Sequence, residues 1–379
     1  MRDGRNRGRL RAMTRFAPLP AGLPATVPFI GPETLERRRG TPFAARLGAN
    51  ESAFGPSPLA ARAMREAVGQ IWKYGDAPSH DLTQALAAHH RIVPANLMIG
   101  EGIDGLLGNL VRLMVAPGDA VVTSEGAYPT FNYHVAGFGG VLHKVPYRDD
   151  AEDPQALLDR AHQVGARLVY LANPDNPMGS WHEGGVITAM LDRLPDDCLL
   201  VLDEAYAEFA PASAVPQISA DDPRVIRMRT FSKAYGLAGA RIGYVIGAPE
   251  LIAGFDRIRN HFGVNRIAQA GALAALADQG WLAHVVAEVA AARDRIARIG
   301  TANGLAALPS ATNFVALDTH RSGDFARALI GALEAEGVFA RMPGVAPLDR
   351  CIRISCGPVT ELDVLEDALP RSLDRLSPA

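Results

Sequence analysis

The sequence predicts an α/β protein: a mostly parallel central sheet covered by helices, followed by a smaller α+β unit. Three observations predict it. Short apolar segments recur between residues 97 and 246, with helix-like segments separating most of them. At Gly280 the pattern changes and a long helical period begins. The length of 379 residues is also more than one hydrophobic core usually organises.

Taken in order, residues 18–32 are rich in Pro and Gly and read as an extended arm. Residues 57–68 and 79–90 read as helices, 97–99 as a short strand and 103–115 as a helix. Strands are expected at 120–123, 141–145, 168–171, 199–202, 225–228 and 242–246. Several are apolar without alternation, as in strands buried on both faces. Sheets of this kind gather ligands beyond the carboxyl ends of their strands. A helix at 281–302, a strand at 314–317, a helix at 325–336, a strand at 352–354 and a last helix at 360–373 follow. The expected division is an arm at 1–45 that returns to the small domain, a large domain at 46–279 and a small domain at 280–379.

Composition narrows the classes of function. A net charge of −3 supplies no positive field for nucleic acid or an anionic membrane. No apolar run reaches the roughly 18–20 residues that span a bilayer. The leader MRDGRNRGRLRAMTRF is Arg-rich but has no apolar segment behind its charges, so it does not read as a signal peptide. Arg-rich, acid-poor leaders also serve as organelle transit sequences, but this one reads rather as a frayed tail, or as a start chosen upstream of Met13. Cys198, Cys351 and Cys356 lie in apolar, strand-like stretches with no metal-ligand spacing. Buried reduced thiols in a cytoplasmic protein are expected.

Four segments carry chemistry. TFSKAYGLAGARIGY, residues 230–244, follows a strand and surrounds Lys233 with small residues. A lysine in such a turn is a candidate for Schiff-base formation. Thr230 and Ser232 offer hydroxyls, and Arg241 can fork onto a phosphate. In VLDEAYAEF, residues 201–209, a buried strand ends in Asp203 and Glu204. Carboxylates there are costly unless paired or functional. A fixed carboxylate can hold a pyridine nitrogen protonated, which makes the ring a better electron sink. ANPDNPMG, residues 172–179, is a rigid turn that aims Asn176. IGEGIDGLL, residues 99–107, opens a helix whose first N–H groups suit a phosphate.

Together with LGANESAFGPSP, WKYGDAPSHDL, AYPTF and CIRISCG, these segments resemble fold-type-I pyridoxal-phosphate aminotransferases, and within them the histidinol-phosphate group. The resemblance covers about residues 46–357. It implies pyridoxal 5'-phosphate as cofactor, held covalently by Lys233. Asp203 would meet the pyridine nitrogen, Asn176 and Tyr206 the ring oxygen, and Tyr128 the ring face. Thr230, Ser232, Arg241 and the backbone of Ile103 and Asp104 would hold the phosphate. Tyr74 would reach it from the partner subunit of a homodimer with shared active sites. Arg353, Arg341 and Asn50 would face the substrate, an amino donor or a 2-oxo acid. In the strand CIRISCG, Ile352 and Ile354 face one side and Arg353 the other.

The chain departs from the group in two places. Asn50-Glu51 is followed by Ser52-Ala53-Phe54, without the usual tyrosine hydroxyl, and Met178 replaces the usual threonine of the turn. Histidinol phosphate or an aromatic amino acid, with 2-oxoglutarate, are therefore both expected donors. A lyase resembling threonine-phosphate decarboxylase carries similar motifs. A non-catalytic pyridoxal-phosphate-binding regulator would need a basic winged helix ahead of the matching region, and the residues there are Pro/Gly-rich.

Overall fold

The computed structural model describes residues 16–24 and 29–376, so the basic leader at 1–15 lies outside the described residues. Seven strands form the main sheet. They are β1 (Leu97–Gly100), β2 (Ala120–Ser124), β3 (Val141–Val145), β4 (Leu168–Ala172), β5 (Leu199–Asp203), β6 (Val225–Thr230) and β7 (Gly243–Gly247). Their order across the sheet is β1-β7-β6-β5-β4-β2-β3. β7 runs antiparallel to both neighbours, and the other pairings are parallel. The expected strand at 242–246 is thus the reversed one, and it begins one residue later.

Every residue of β4, β5 and β7 is buried. The pleat explains why β5 carries no polar alternation. Leu199 and Val201 pack into the core on one face, beneath α1 (Gly102–Met114). Leu200 and Leu202 join Leu157, Leu158 and Ile187 in the core on the other. Each such side chain contributes about 1.5–3 kcal/mol of burial. Helix α1 buries Leu106, Leu107, Leu110 and Val111 along one stripe, at the spacing that 3.6 residues per turn requires.

A second core is built around a sheet in which Phe314–Asp318 pairs with Cys351–Ser355 and with Ala306–Ala307, both antiparallel. Helix α3 (Gln279–Ala302) covers it, starting two residues earlier than expected because the Asp278 side chain caps it by accepting from the Trp281 N–H. Beside it, Ala45–Arg46 pairs in parallel with Val338–Phe339. The extended reading of residues 18–32 needs correction, however. Pro18–Ala21 forms one helical turn, and Pro32–Arg39 forms a helix too polar to show an apolar stripe. All three cysteines are buried free thiols.

Candidate active site

The carboxyl ends of β4, β5 and β6 open into a cavity of about 340 Å³. Ile103, Asp104, Tyr128, Asn176, Asp203, Tyr206, Thr230, Ser232, Lys233 and Arg241 all line it. The sequence scatters these residues over 139 positions, from 103 to 241, and the parallel crossovers gather them.

At the floor, alternation separates Asp203, the last residue of β5, from Glu204 just beyond it. Glu204 turns to Arg227 and Arg229, at 2.8 Å from each. Burial works against its charge, yet those guanidinium groups hold its pKa below the usual range. Asp203 faces the cavity side and has no cationic partner among the described residues. Its Oδ2 accepts from the Tyr170 hydroxyl at 2.6 Å, and its Oδ1 accepts from the Ala205 N–H at 2.9 Å. Burial pushes its pKa up to about 6, against the pull of those two hydrogen bonds. A buried carboxylate with hydrogen-bond donors but no counter-ion is suited to a cationic ring nitrogen.

At the opposite end lies the N-terminus of α1, where Glu101 makes no side-chain cap and the first N–H groups are left for another acceptor. Gly102 has φ +78, and a Cβ there would lie 2.6 Å from the Arg241 guanidinium, so only glycine lets the two approach. Arg241 itself is left-handed at φ 54 and reaches Asp104 Oδ2 at 3.3 Å. Asp104 Oδ1 accepts from the Tyr128 hydroxyl at 2.8 Å. The Thr230 oxygen accepts from the Ser232 N–H, which leaves the threonine proton free to donate. Donors at one end and an acid at the other fit an elongated aromatic phosphate.

Lys233 Nζ donates to the Asn50 carbonyl at 3.0 Å and lies 5.6 Å from the centre of the Tyr206 ring. Asn50 holds a left-handed backbone, φ 54. Its side chain is already engaged: Oδ1 accepts from the Ser355 hydroxyl and Nδ2 donates to the Tyr206 oxygen. Asn50 therefore touches the lysine through its backbone, while its amide is spent within the protein.

A second cavity of about 520 Å³ adjoins the first, sharing Ala49, Tyr128, Asn176 and Lys233. Arg353, on the strand Cys351–Ser355, and Arg341, just after Val338–Phe339, line it and are joined by an isolated backbone bridge. As expected, Ile352 and Ile354 turn into the core and Arg353 turns away. Arg353 donates to Asn176 Oδ1 at 2.5 Å, which leaves the Asn176 NH₂ free to donate elsewhere. Burial, with like charge from Arg341, pulls the Arg353 pKa down to about 10. Arg341 donates to the Ile30 carbonyl, and among the described residues neither arginine forms an ion pair with a carboxylate. The Nε of each is buried without a hydrogen-bond partner.

Tyr74 lines neither cavity; it is 77% exposed and rests on Phe262 with ring centres 4.8 Å apart. Met178 is explained by an apolar cluster with Ala316, Leu348 and Cys351. At the other departure, Phe54 packs on the second core and Ser52 Oγ is buried without a partner. Tyr170, Asn132, Lys144 and Phe29 went unread in the sequence. Tyr170 left a signal, since a phenol inside an apolar strand needs a hydrogen-bond partner. Phe29, in the Pro-rich arm, left none.

The cavity sets a lysine amine beside a space that fits an aromatic phosphate group. The family model for aminotransferase class I and II matches residues 45–369. A histidinol-phosphate aminotransferase from Anaeromyxobacter sp. is 37% identical over 352 residues, 91% of this chain and 95% of that one. Another, from Mesorhizobium japonicum, is 35% identical over 95% of this chain and 97% of its own. The crystal structure of the Sinorhizobium meliloti histidinol-phosphate aminotransferase in complex with pyridoxal-5'-phosphate matches with a TM-score of 0.94 and 56% identity, covering 97% of this chain and all of that one. An aspartate aminotransferase from Thermus thermophilus, at 22% identity and a TM-score of 0.75, shares the fold. The chain belongs to the aminotransferase class I and II family. It is a transaminase of fold type I.

Proposed function

We propose that this transaminase uses pyridoxal 5'-phosphate to move the amino group of histidinol phosphate to a 2-oxo acid. The observation that carries the substrate is the lining of the larger cavity. Lys144, Lys233, Arg341 and Arg353 line it, and among the described residues no Asp or Glu does. Two arginines with buried, unpartnered Nε atoms favour a substrate that brings more than one negative charge, as a phosphate does. The names of the relatives agree with this reading.

In the smaller cavity Lys233 would hold the cofactor, Asp203 its ring nitrogen, and Asn176 and Tyr206 its ring oxygen. Tyr128 would lie on the ring face. The phosphate would lie at the start of α1, with Thr230, Ser232 and Arg241. When bound, the ring draws off the electron pair released at the substrate's α-carbon. Lys233 Nζ would accept the proton that leaves the substrate's α-carbon and give it back as the amino group is transferred. Asp203 would keep the ring nitrogen protonated, and Arg353 and Arg341 would orient the substrate by its anionic group.

Phenylalanine is the second reading, favoured by Phe29 at the wall and by the missing hydroxyl at residues 52–54. The two are separated by comparing kcat/KM for histidinol phosphate and phenylalanine with 2-oxoglutarate. Histidinol phosphate is expected to exceed phenylalanine by tenfold or more, about 1.4 kcal/mol of transition-state preference. The reverse order overturns the assignment and leaves the transaminase class intact.

The same reading makes the enzyme a cytoplasmic homodimer, with the chain divided into a large domain at 46–279 and a small one at 280–379 that includes the arm. Ile71, Trp72, Tyr74 and Phe262 are all exposed apolar side chains. Next to Phe262, Gly263 packs on Glu101 at the start of α1, the phosphate end of the site. A two-fold contact over this patch would bring Tyr74 of the partner subunit to that phosphate. Mixing inactive Tyr74→Ala and Lys233→Ala subunits should therefore restore activity, since a mixed dimer contains one site free of both changes. An active monomer in sedimentation would refute the arrangement.

A further inference from the structure

We propose that Asn132 selects the ring of the substrate, pairing with a nitrogen-bearing heteroaromatic ring and disfavouring a phenyl ring. This rests on the histidinol-phosphate reading and names the group that would distinguish imidazole from benzene. Asn132 lies in the first turns of α2 (Pro129–Gly137) and lines the larger cavity, but not the smaller one that fits the cofactor. It therefore belongs to the part of the site left for the substrate. Its side-chain oxygen is buried without a hydrogen-bond partner, and its NH₂ makes no hydrogen bond among the described residues.

Most other polar groups around it are spoken for. Tyr128 donates to Asp104, Asn176 accepts from Arg353, and the Asn50 amide is held between Ser355 and Tyr206. Asn132 alone among these amides keeps both its donor and its acceptor free. A carboxamide with both ends free matches neutral imidazole, which has one N–H and one bare nitrogen. Turning the amide about its last bond presents either end. A phenyl ring satisfies neither end and leaves a buried polar group unpaired. Sites built to hydrogen-bond a substrate reject analogues without the matching group far more strongly than apolar pockets do.

The test holds the anionic end constant and changes the ring. Histidinol phosphate and phenylalaninol phosphate differ only there, so Arg341 and Arg353 meet the same phosphate in both. Wild-type enzyme should favour histidinol phosphate by tenfold or more in kcat/KM. Asn132→Leu should erase or invert that ratio, with the visible band of the bound cofactor unchanged. Asn132→Asp, which retains an acceptor, should keep most of it. If the leucine variant fails to hold the cofactor, Asn132→Ser withdraws the amide without adding apolar bulk and should erase the ratio in its place. Variants that keep the wild-type ratio overturn the role of Asn132 and leave the substrate reading standing. Wild-type enzyme that turns over neither phosphate removes both.

Discussion

Lys233→Ala is expected to leave no measurable transamination. The substitution removes the covalent tether and the group that moves the proton, and proton transfer alone is worth roughly 10²–10⁴ in rate. The check is unusually clean because the chain has only three lysines, Lys73, Lys144 and Lys233. Lys73 lies over the exposed ring of Trp72, 4.8 Å away, and Lys144 belongs to the edge strand β3. Borohydride reduction followed by peptide mapping should recover the cofactor on Lys233. Recovery on either of the other two would refute its role.

Asp203→Asn should separate stability from catalysis. Without its fixed negative charge the ring nitrogen loses its proton more readily, and the rate should fall by about 3–4 kcal/mol, as when one electrostatic stabiliser is removed. Near-wild-type turnover would show that Asp203 does not meet the ring. Folding should respond in the opposite direction in the cofactor-free protein. Burial raises the folded pKa of Asp203 to about 6, above its unfolded value near 4. The folded state thus binds more protons than the unfolded state between those values, and stability falls as pH rises through the window. Above pH 6 the penalty is complete, on the order of 3 kcal/mol. Asparagine avoids it while still offering an oxygen to Tyr170 or Ala205. Cofactor-free Asp203→Asn should melt higher than wild type at pH 8, and the difference should shrink toward pH 4. A constant difference would mean that another group sets the pH response.

What the sequence disclosed and what it hid follow from how each residue acts. Lys233 and Asp203 were legible because each breaks a local rule: a cation in a glycine-rich turn, an acid at the end of an apolar strand. Glu204 breaks the same rule beside Asp203, and no sequence argument could tell which acid was paired. That depended on β6 supplying Arg227 and Arg229 to one face of β5. The sheet was legible from its apolar runs, but the reversal of β7 was not, because direction leaves no trace in composition. The helix at Pro32–Arg39 escaped because it buries only Pro32 and so shows no apolar stripe. Asn132 looked like any polar residue on a helix. Only the cavity gives its unpaired amide a meaning.

The pairing of Ala45–Arg46 with Val338–Phe339 has a consequence for how the chain is made. The Arg46 N–H is held by Glu361, a residue 315 positions later. During synthesis the arm must wait, unpaired, until nearly the whole protein has left the ribosome. The main sheet can assemble meanwhile, since its strands all lie within residues 97–247. The core around Arg353 can close only at the end, when Ala45 and Leu47 meet Ile354, Leu365 and Leu369. A permuted gene that moved the arm behind the last helix would bring most of that core into one stretch of translation from Val285 onward, leaving Tyr206, Phe209 and Ala234 to come from the earlier part of the chain.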